Sequence, residues 1–226
     1  MTKPALIDLV NAALVTIGQD TIASLTTSST TSPIATAVNA KVNLVKRKLL
    51  RINDWNCVRR TAKLTQLSTG AETSGWAYKF SLPSDPECLR VVQISVDSGK
   101  TYIDLDEYYN RNSGPKETLF DIDGAYLLCN VTPVYIKYTA DLDASYFDPA
   151  LASAFVAALA AELAYSIPAS VSLAEYLQRM AKIELKNAKS ANARERNILR
   201  PEGDVISIRY GYSDKGIRVD MSDQEE

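Results

Sequence analysis

The chain has 226 residues, a net charge of −2 and 46% hydrophobic residues, the profile of a globular chain long enough to bury a sizeable core. It contains no histidine, which removes the commonest general base and zinc ligand and excludes Ser-His-Asp and Cys-His sites. Carboxylate-pair and magnesium chemistry stay open.

The opening stretch lacks the cationic-then-apolar layout of a secretory signal. The first predicted element is a helix from Pro4 to Ile17, with Thr2 as N-cap. Leu6, Val10, Ala13 and Ile17 make its apolar stripe, Leu9 and Leu14 widen it, and Gly18 stops it. A Ser/Thr-rich loop leads to a second helix, capped by Ser32 with Pro33 at its first position, running to Ile52. Val38, Val42, Val45, Leu49 and Ile52 form its stripe, while Lys41, Lys46, Arg47, Lys48 and Arg51 crowd the rest. Trp55 follows as an expected core anchor at the helix-to-strand junction.

From Trp55 to Ala140 the pattern changes to short runs bounded by Gly, Pro, Asn and Asp. Strands are predicted at 57–67, 76–82, 88–96, 101–104, 118–122, 125–130 and 134–139, with hairpin turns at Asp97–Lys100 and Asp121–Gly124. Helices return at Asp148, an N-cap followed by Pro149. Leu151, Phe155, Leu159 and Leu163 recur every four residues, and eight alanines between 150 and 164 allow close helix approach. Pro168 breaks this helix, and Ser172 starts a last one to Leu199 with a buried line of Leu177, Ala181, Leu185 and Ala188. Its polar end, KNAKSANARER, is expected to project past the core or lie on a neighbour. No apolar run reaches the 20 residues of a membrane span.

The fold class these elements define is α+β: a helical bundle of about four helices with an inserted, mostly antiparallel β subdomain. The divisions are an N-terminal helix pair (1–54), the β subdomain (55–140), a C-terminal helix pair (141–200) and a C-terminal arm (201–226). In the arm, Val205, Ile206, Ile208, Tyr210 and Tyr212 read as one strand without a nearby hairpin partner. Its backbone groups need an existing sheet, in this subunit or another, which makes these five residues a candidate docking arm.

Charge is unevenly spread: residues 1–70 carry +6, 71–170 carry −8, 171–200 carry +4 and 201–226 carry −4. Such a subunit can pair head-to-tail with its copies or balance its charge internally. Lys46, Arg47, Lys48 and Arg51 on one side, and Asp104, Asp106 and Glu107 on the other, are the candidate subunit-interface residues. Asp104, Asp106 and Glu107 also form the densest carboxylate cluster. It reads as a solvated strand end and turn; the competing reading is a hydrolase using paired carboxylates. Asp121 and Asp123 read as turn aspartates. The basic helix 41–51, with helix 172–199, offers a nucleic-acid-binding module as a second reading, although aromatic interleaving is missing. No phosphate-binding loop, CxxC pair or other metal motif occurs, so neither cofactor nor metal is expected. The widely spaced Cys57, Cys88 and Cys129 read as buried free thiols made in a reducing compartment. Twelve tyrosines, Tyr102, Tyr108, Tyr109, Tyr210 and Tyr212 among them, suit partner binding.

Four stretches carry a family likeness. They are Val10-Asn11-Ala12-Ala13-Leu14 ending at Ile17-Gly18; Leu50 to Trp55 with Arg59, Arg60, Ala62 and Leu64; Phe80-Ser81-Leu82-Pro83-Ser84-Asp85 with Cys88-Leu89-Arg90-Val91; and Ile136-Lys137-Tyr138-Thr139 with Phe147-Asp148-Pro149 and the alanine-rich helix. In order and spacing these resemble the podovirus tail adaptors, also called tail tubular protein A or head-to-tail connectors, over most of residues 5–200. The resemblance implies a structural virion protein without catalysis or cofactor, made in the bacterial cytoplasm and not associated with membrane. It implies a homododecameric ring between the portal protein and a tail nozzle protein of the tail tubular protein B type, with tail fibres as a further candidate partner. DNA would pass through the ring without specific binding. The arm after residue 200 has no counterpart in the likeness, and portal docking is the role expected of it.

Overall fold

A computed structural model describes residues 4–25, 33–71, 75–95, 99, 102–105, 120–166 and 171–195. The chain divides into two units, 1–193 and 194–226, and all but two of the described residues fall in the first. The arm and its five candidate docking residues lie outside the described residues, as do Ser32, Pro168 and residues 196–199.

Four helices and two antiparallel sheets make up the described fold, the α+β architecture expected. Helix α1 spans Leu6–Thr16 and α2 spans Pro33–Arg51. After a 3-10 turn at Asn56–Val58 come β1 (Arg59–Lys63), β2 (Thr65–Ala71), β3 (Trp76–Ser81), β4 (Cys88–Ser95), β5 (Ile103–Asp104), β6 (Asp121–Asp123), β7 (Tyr126–Cys129) and β8 (Tyr135–Ala140). Helices α3 (Pro149–Ser166) and α4 (Val171–Arg194) complete the order.

Local chemistry sets the helix ends. The N-cap of α1 is Ala5 rather than Thr2: the Asp8 carboxylate accepts from the Ala5 N–H at 3.0 Å and takes over a role that the alanine side chain cannot fill. At its other end the Gly18 N–H reaches the Val15 carbonyl and the Gln19 N–H reaches the Leu14 carbonyl. That double closure requires the left-handed conformation Gly18 adopts, with φ of +71°. Asp148 caps α3 as expected, its carboxylate accepting from the Leu151 N–H at 2.7 Å.

The helical core forms around α3, which packs on α1 and α2. Leu151, Phe155, Leu159 and Leu163 are all fully buried, and Phe155 meets the Phe147 ring edge-on at 6.0 Å between centroids. α3 is apolar on every side and alone among the described helices is long and apolar enough to cross a membrane. Half of it is buried within the fold, as befits the central helix of a bundle. Val38, Val42, Val45 and Leu49 of α2 are buried, but Ile52 falls beyond the helix end and is exposed, so the stripe stops one turn earlier than its periodicity suggests.

The β subdomain is two four-stranded sheets, ordered β1-β8-β4-β5 and β2-β3-β7-β6. Leu64, Phe80, Val91, Ile94, Leu127, Val134, Ile136 and Tyr138 fill the space between them. The single strand expected over 57–67 is divided. Its first residues form the 3-10 turn, and at Leu64 the chain leaves one sheet for the other. The Leu64 N–H bonds the Val134 carbonyl at 2.9 Å while its side chain is buried at the crossing. The hairpin turn expected at Asp121–Gly124 lies later, at Gly124-Ala125, and Asp121 and Asp123 are strand residues instead. Only Gly99 of the other expected turn, Asp97–Lys100, is described.

Leu89 and Leu142 are among the apolar contacts that join the β subdomain to the bundle. Leu89 of β4 belongs to the helical core, whereas Val91 and Ile94 of the same strand face the sandwich, and two register irregularities in β4 separate these roles. Leu142 packs against both cores.

Candidate functional site

The junction after α2 gathers several side-chain hydrogen bonds. Trp55 is fully buried, and its indole N–H donates to the Leu49 carbonyl at 2.9 Å, so it anchors the junction as expected. Arg59 grips the Asp54 carboxylate with two bonds, at 2.9 and 2.6 Å. Sequence reading missed the third partner. The buried Asn192 of α4 accepts from the Asn56 N–H at 2.8 Å and donates its side-chain amide to the Asp54 carbonyl at 2.8 Å. The polar end of α4 therefore lies on this junction up to Ala188 and Asn192, instead of projecting past the core. An asparagine on the helix line that carries Ala181, Leu185 and Ala188 was the available signal.

Four of the five basic side chains of α2 are engaged within the subunit. Lys46 bonds Asp141 at 2.8 Å, and the two side chains are only 14% and 15% exposed. Arg47 pairs with Glu87 and lies 3.5 Å from Asp141. Its hydrogen bond to Glu87 raises the guanidinium pKa further above its ordinary value. Lys41 and Lys48 both approach Glu162 of α3, at 3.8 and 3.6 Å. All three acidic partners come from the acidic block 71–170, so internal charge balance is realised for this helix. Of the remaining interface candidates, Arg51 is exposed at the end of α2. Asp104 sits in β5 opposite Gln93 of β4. Asp106 and Glu107 lie outside the described residues, so a carboxylate pair cannot be drawn from them.

Among the described residues no group of three or more Cys, Asp or Glu side chains stands ready to hold a metal ion. The three cysteines are unpaired; Cys129 is buried, and Cys57 and Cys88 are half-buried. Burial pushes the Cys57 and Cys88 thiols up to about 11, and raises Cys129 as well. These are poor nucleophiles at neutral pH.

Two concavities flank α4. One groove, of about 400 Å³, has a floor of Val45, Leu49, Ala158, Ala161, Ala181 and Leu185, and carries Lys48, Lys182 and Glu162 at its rim. The other, of about 390 Å³, lies between α1, α3 and α4 over Leu9, Ala152, Val156, Leu177 and Met180. Leu44, Ile52, Val171, Tyr176 and Ile183 are exposed large side chains on the same module. Apolar grooves without convergent polar groups suit packing against another chain better than chemistry on a small molecule.

Compared with known protein families, the chain matches no family model, and no curated protein matches it.

Proposed function

We propose that this chain is a structural virion protein: a ring-forming head-to-tail adaptor that joins the portal to the tail nozzle of a short-tailed bacteriophage and forms part of its DNA conduit. The family likeness over most of residues 5–200 is the starting point for this reading. The observation that carries it is the division of surface between charge and apolar area. Lys41, Lys46, Arg47 and Lys48, four of the five basic residues of α2, pair with Glu87, Asp141 and Glu162, whereas α4 and its neighbours present apolar grooves and exposed large side chains. A conduit needs weak phosphate contacts along its bore, and an assembly subunit needs apolar surface for its neighbours. The dodecameric state, the nozzle and portal contacts, and the docking role of Val205, Ile206, Ile208, Tyr210 and Tyr212 belong to this proposal.

The nucleic-acid-binding alternative rests on α2 as a phosphate-contacting face. Internal ion pairing of Lys41, Lys46, Arg47 and Lys48 weakens that alternative. Electron microscopy of the chain mixed with the portal of its own phage tests the proposal. Rings seated on the portal are expected, and chain lacking residues 201–226 should seat poorly while keeping its circular dichroism. Portal that stays bare in the presence of excess chain refutes the adaptor reading, and a truncated chain that seats as well as the whole refutes the arm.

A further inference from the structure

The two basic helices differ in how their charges are met. Lys41, Lys46, Arg47 and Lys48 of α2 each pair with a carboxylate of the same subunit. α4 carries Arg179, Lys182, Lys186 and Lys189, and among the described residues none of these four has an ion pair. Arg179, Lys182 and Lys186 are exposed and Lys189 is half-buried. Their spacings of three, four and three residues gather them in one arc of the helix, because residues three and four apart share a face. The buried residues Ala174, Leu177, Ala188 and Asn192 lie on another side.

No carboxylate of α4 interrupts this stripe. Glu175 comes one turn before Arg179, and Glu184 lines the groove on the α1 side. Glu162 shares the other groove with Lys182, but it is approached by Lys41 and Lys48. Like charges three and four residues apart repel and weaken the helix that carries them. A row of negative charge laid along the stripe offsets that repulsion. From Arg179 to Lys189 the stripe runs about 15 Å, at 1.5 Å per residue. Over that length one strand of a duplex presents about four phosphates. Lysine is depleted in protein–protein interfaces, whereas Lys and Arg are the usual contacts to a phosphate backbone, so the stripe suits nucleic acid better than a protein face.

We infer that α4 is a sequence-independent contact face for duplex nucleic acid, with Arg179, Lys182, Lys186 and Lys189 on the phosphates of one strand. Contacts of this kind are weak at physiological salt and let a duplex slide. The inference goes beyond the adaptor reading and does not rest on it, because it concerns the isolated chain.

Fluorescence anisotropy of the full chain with a short labelled duplex, at salt from about 50 to 200 mM, tests it. Four phosphate contacts predict a slope of log K against log salt of about −3.6. Lys182→Gln with Lys186→Gln should make that slope shallower by about 2 and weaken binding at least tenfold at the lowest salt, with an unchanged melting temperature. Lys182→Arg with Lys186→Arg keeps both charges and should bind as wild type does. Lys63→Gln with Lys137→Gln removes the same charge from the β subdomain and should leave affinity within about twofold. Equal losses from the α4 and β-subdomain glutamine variants would reduce the effect to net charge and overturn the inference. Wild-type chain that leaves the duplex free at the lowest salt also overturns it. If that chain still seats on portal and the α4 glutamine variant does not, the stripe belongs to an acidic protein face instead. Seating on portal by the wild-type chain is read separately, so failure of this inference leaves the adaptor reading standing.

Discussion

Replacing Asn192 with alanine removes a clamp between residues far apart in sequence. The side chain makes two hydrogen bonds of 2.8 Å, one from the Asn56 N–H and one to the Asp54 carbonyl. A typical hydrogen bond contributes a net of about 1 kcal/mol, and an orphaned buried partner adds its desolvation cost. Asp54 is buried and Asn56 half-buried, so water can replace only part of what is lost. The expected destabilisation is about 2–3 kcal/mol. With a urea slope of about 2 kcal/mol/M, the unfolding midpoint should fall by about 1–1.5 M. Asn192→Asp should not rescue, because it keeps the acceptor for Asn56 but aims a second oxygen at the Asp54 carbonyl. Ser190→Ala, on the exposed side of the same helix, should stay within about 0.5 kcal/mol of wild type. If Asn192→Ala shifts the midpoint no more than Ser190→Ala does, the clamp holds nothing and α4 is anchored by its apolar face alone.

Other perturbations have comparable outcomes. Asp148→Ala removes the cap of α3 and should cost about 1 kcal/mol in the same urea assay; no change would mean another group caps that end. Phe155→Ala empties the centre of the helical core and should cost about 3–5 kcal/mol, with any value below 1 kcal/mol contradicting the packing described. Asp141→Ala leaves the largely buried Lys46 without its carboxylate and should cost about 2 kcal/mol, less than a fully buried pair because some solvent reaches both groups; an equal midpoint in Asp141→Ala and wild type would refute the pairing. At pH 8, thiols with a pKa of about 11 are almost wholly protonated, so Cys57 and Cys88 should react with a disulfide reagent about two orders of magnitude more slowly than an ordinary cysteine. In urea all three thiols should react promptly; fast reaction of the folded chain would place these cysteines in the wrong environment.

Periodicity made the helices legible. The four-residue recurrence of Leu151, Phe155, Leu159 and Leu163 and the Asp148-Pro149 start depend only on neighbours in the chain, and both lie where the pattern places them. What failed to show were features set by distant partners. The run 57–67 looks like one strand because nothing local marks Leu64; its break is set by pairing of β1 with residues 135–139 and of β2 with residues 76–81. Asn192 sits in a polar, basic run whose composition suggests solvent, and only its place on the Ala188 side of the helix betrays burial. Ile52 fits the α2 period but follows the last helical residue, so the turn of the chain carries it into solvent.

The candidate site was legible in kind more than in position. The surplus of Lys and Arg on α2 is plain in the sequence, but its consumption by Glu87, Asp141 and Glu162 is a property of the folded charge distribution. The grooves beside α4 arise because short alanine side chains at 158, 161 and 181 leave room that larger residues would fill, and the eight alanines of α3 hint at close packing without saying that a gap remains.

Native mass spectrometry of the full chain mixed with the portal protein that the proposed adaptor role assigns to it tests that proposal most directly. The account predicts a closed homo-oligomer of this chain, expected as a dodecamer, bound to the portal ring. A spectrum holding only monomeric chain beside intact portal would contradict it.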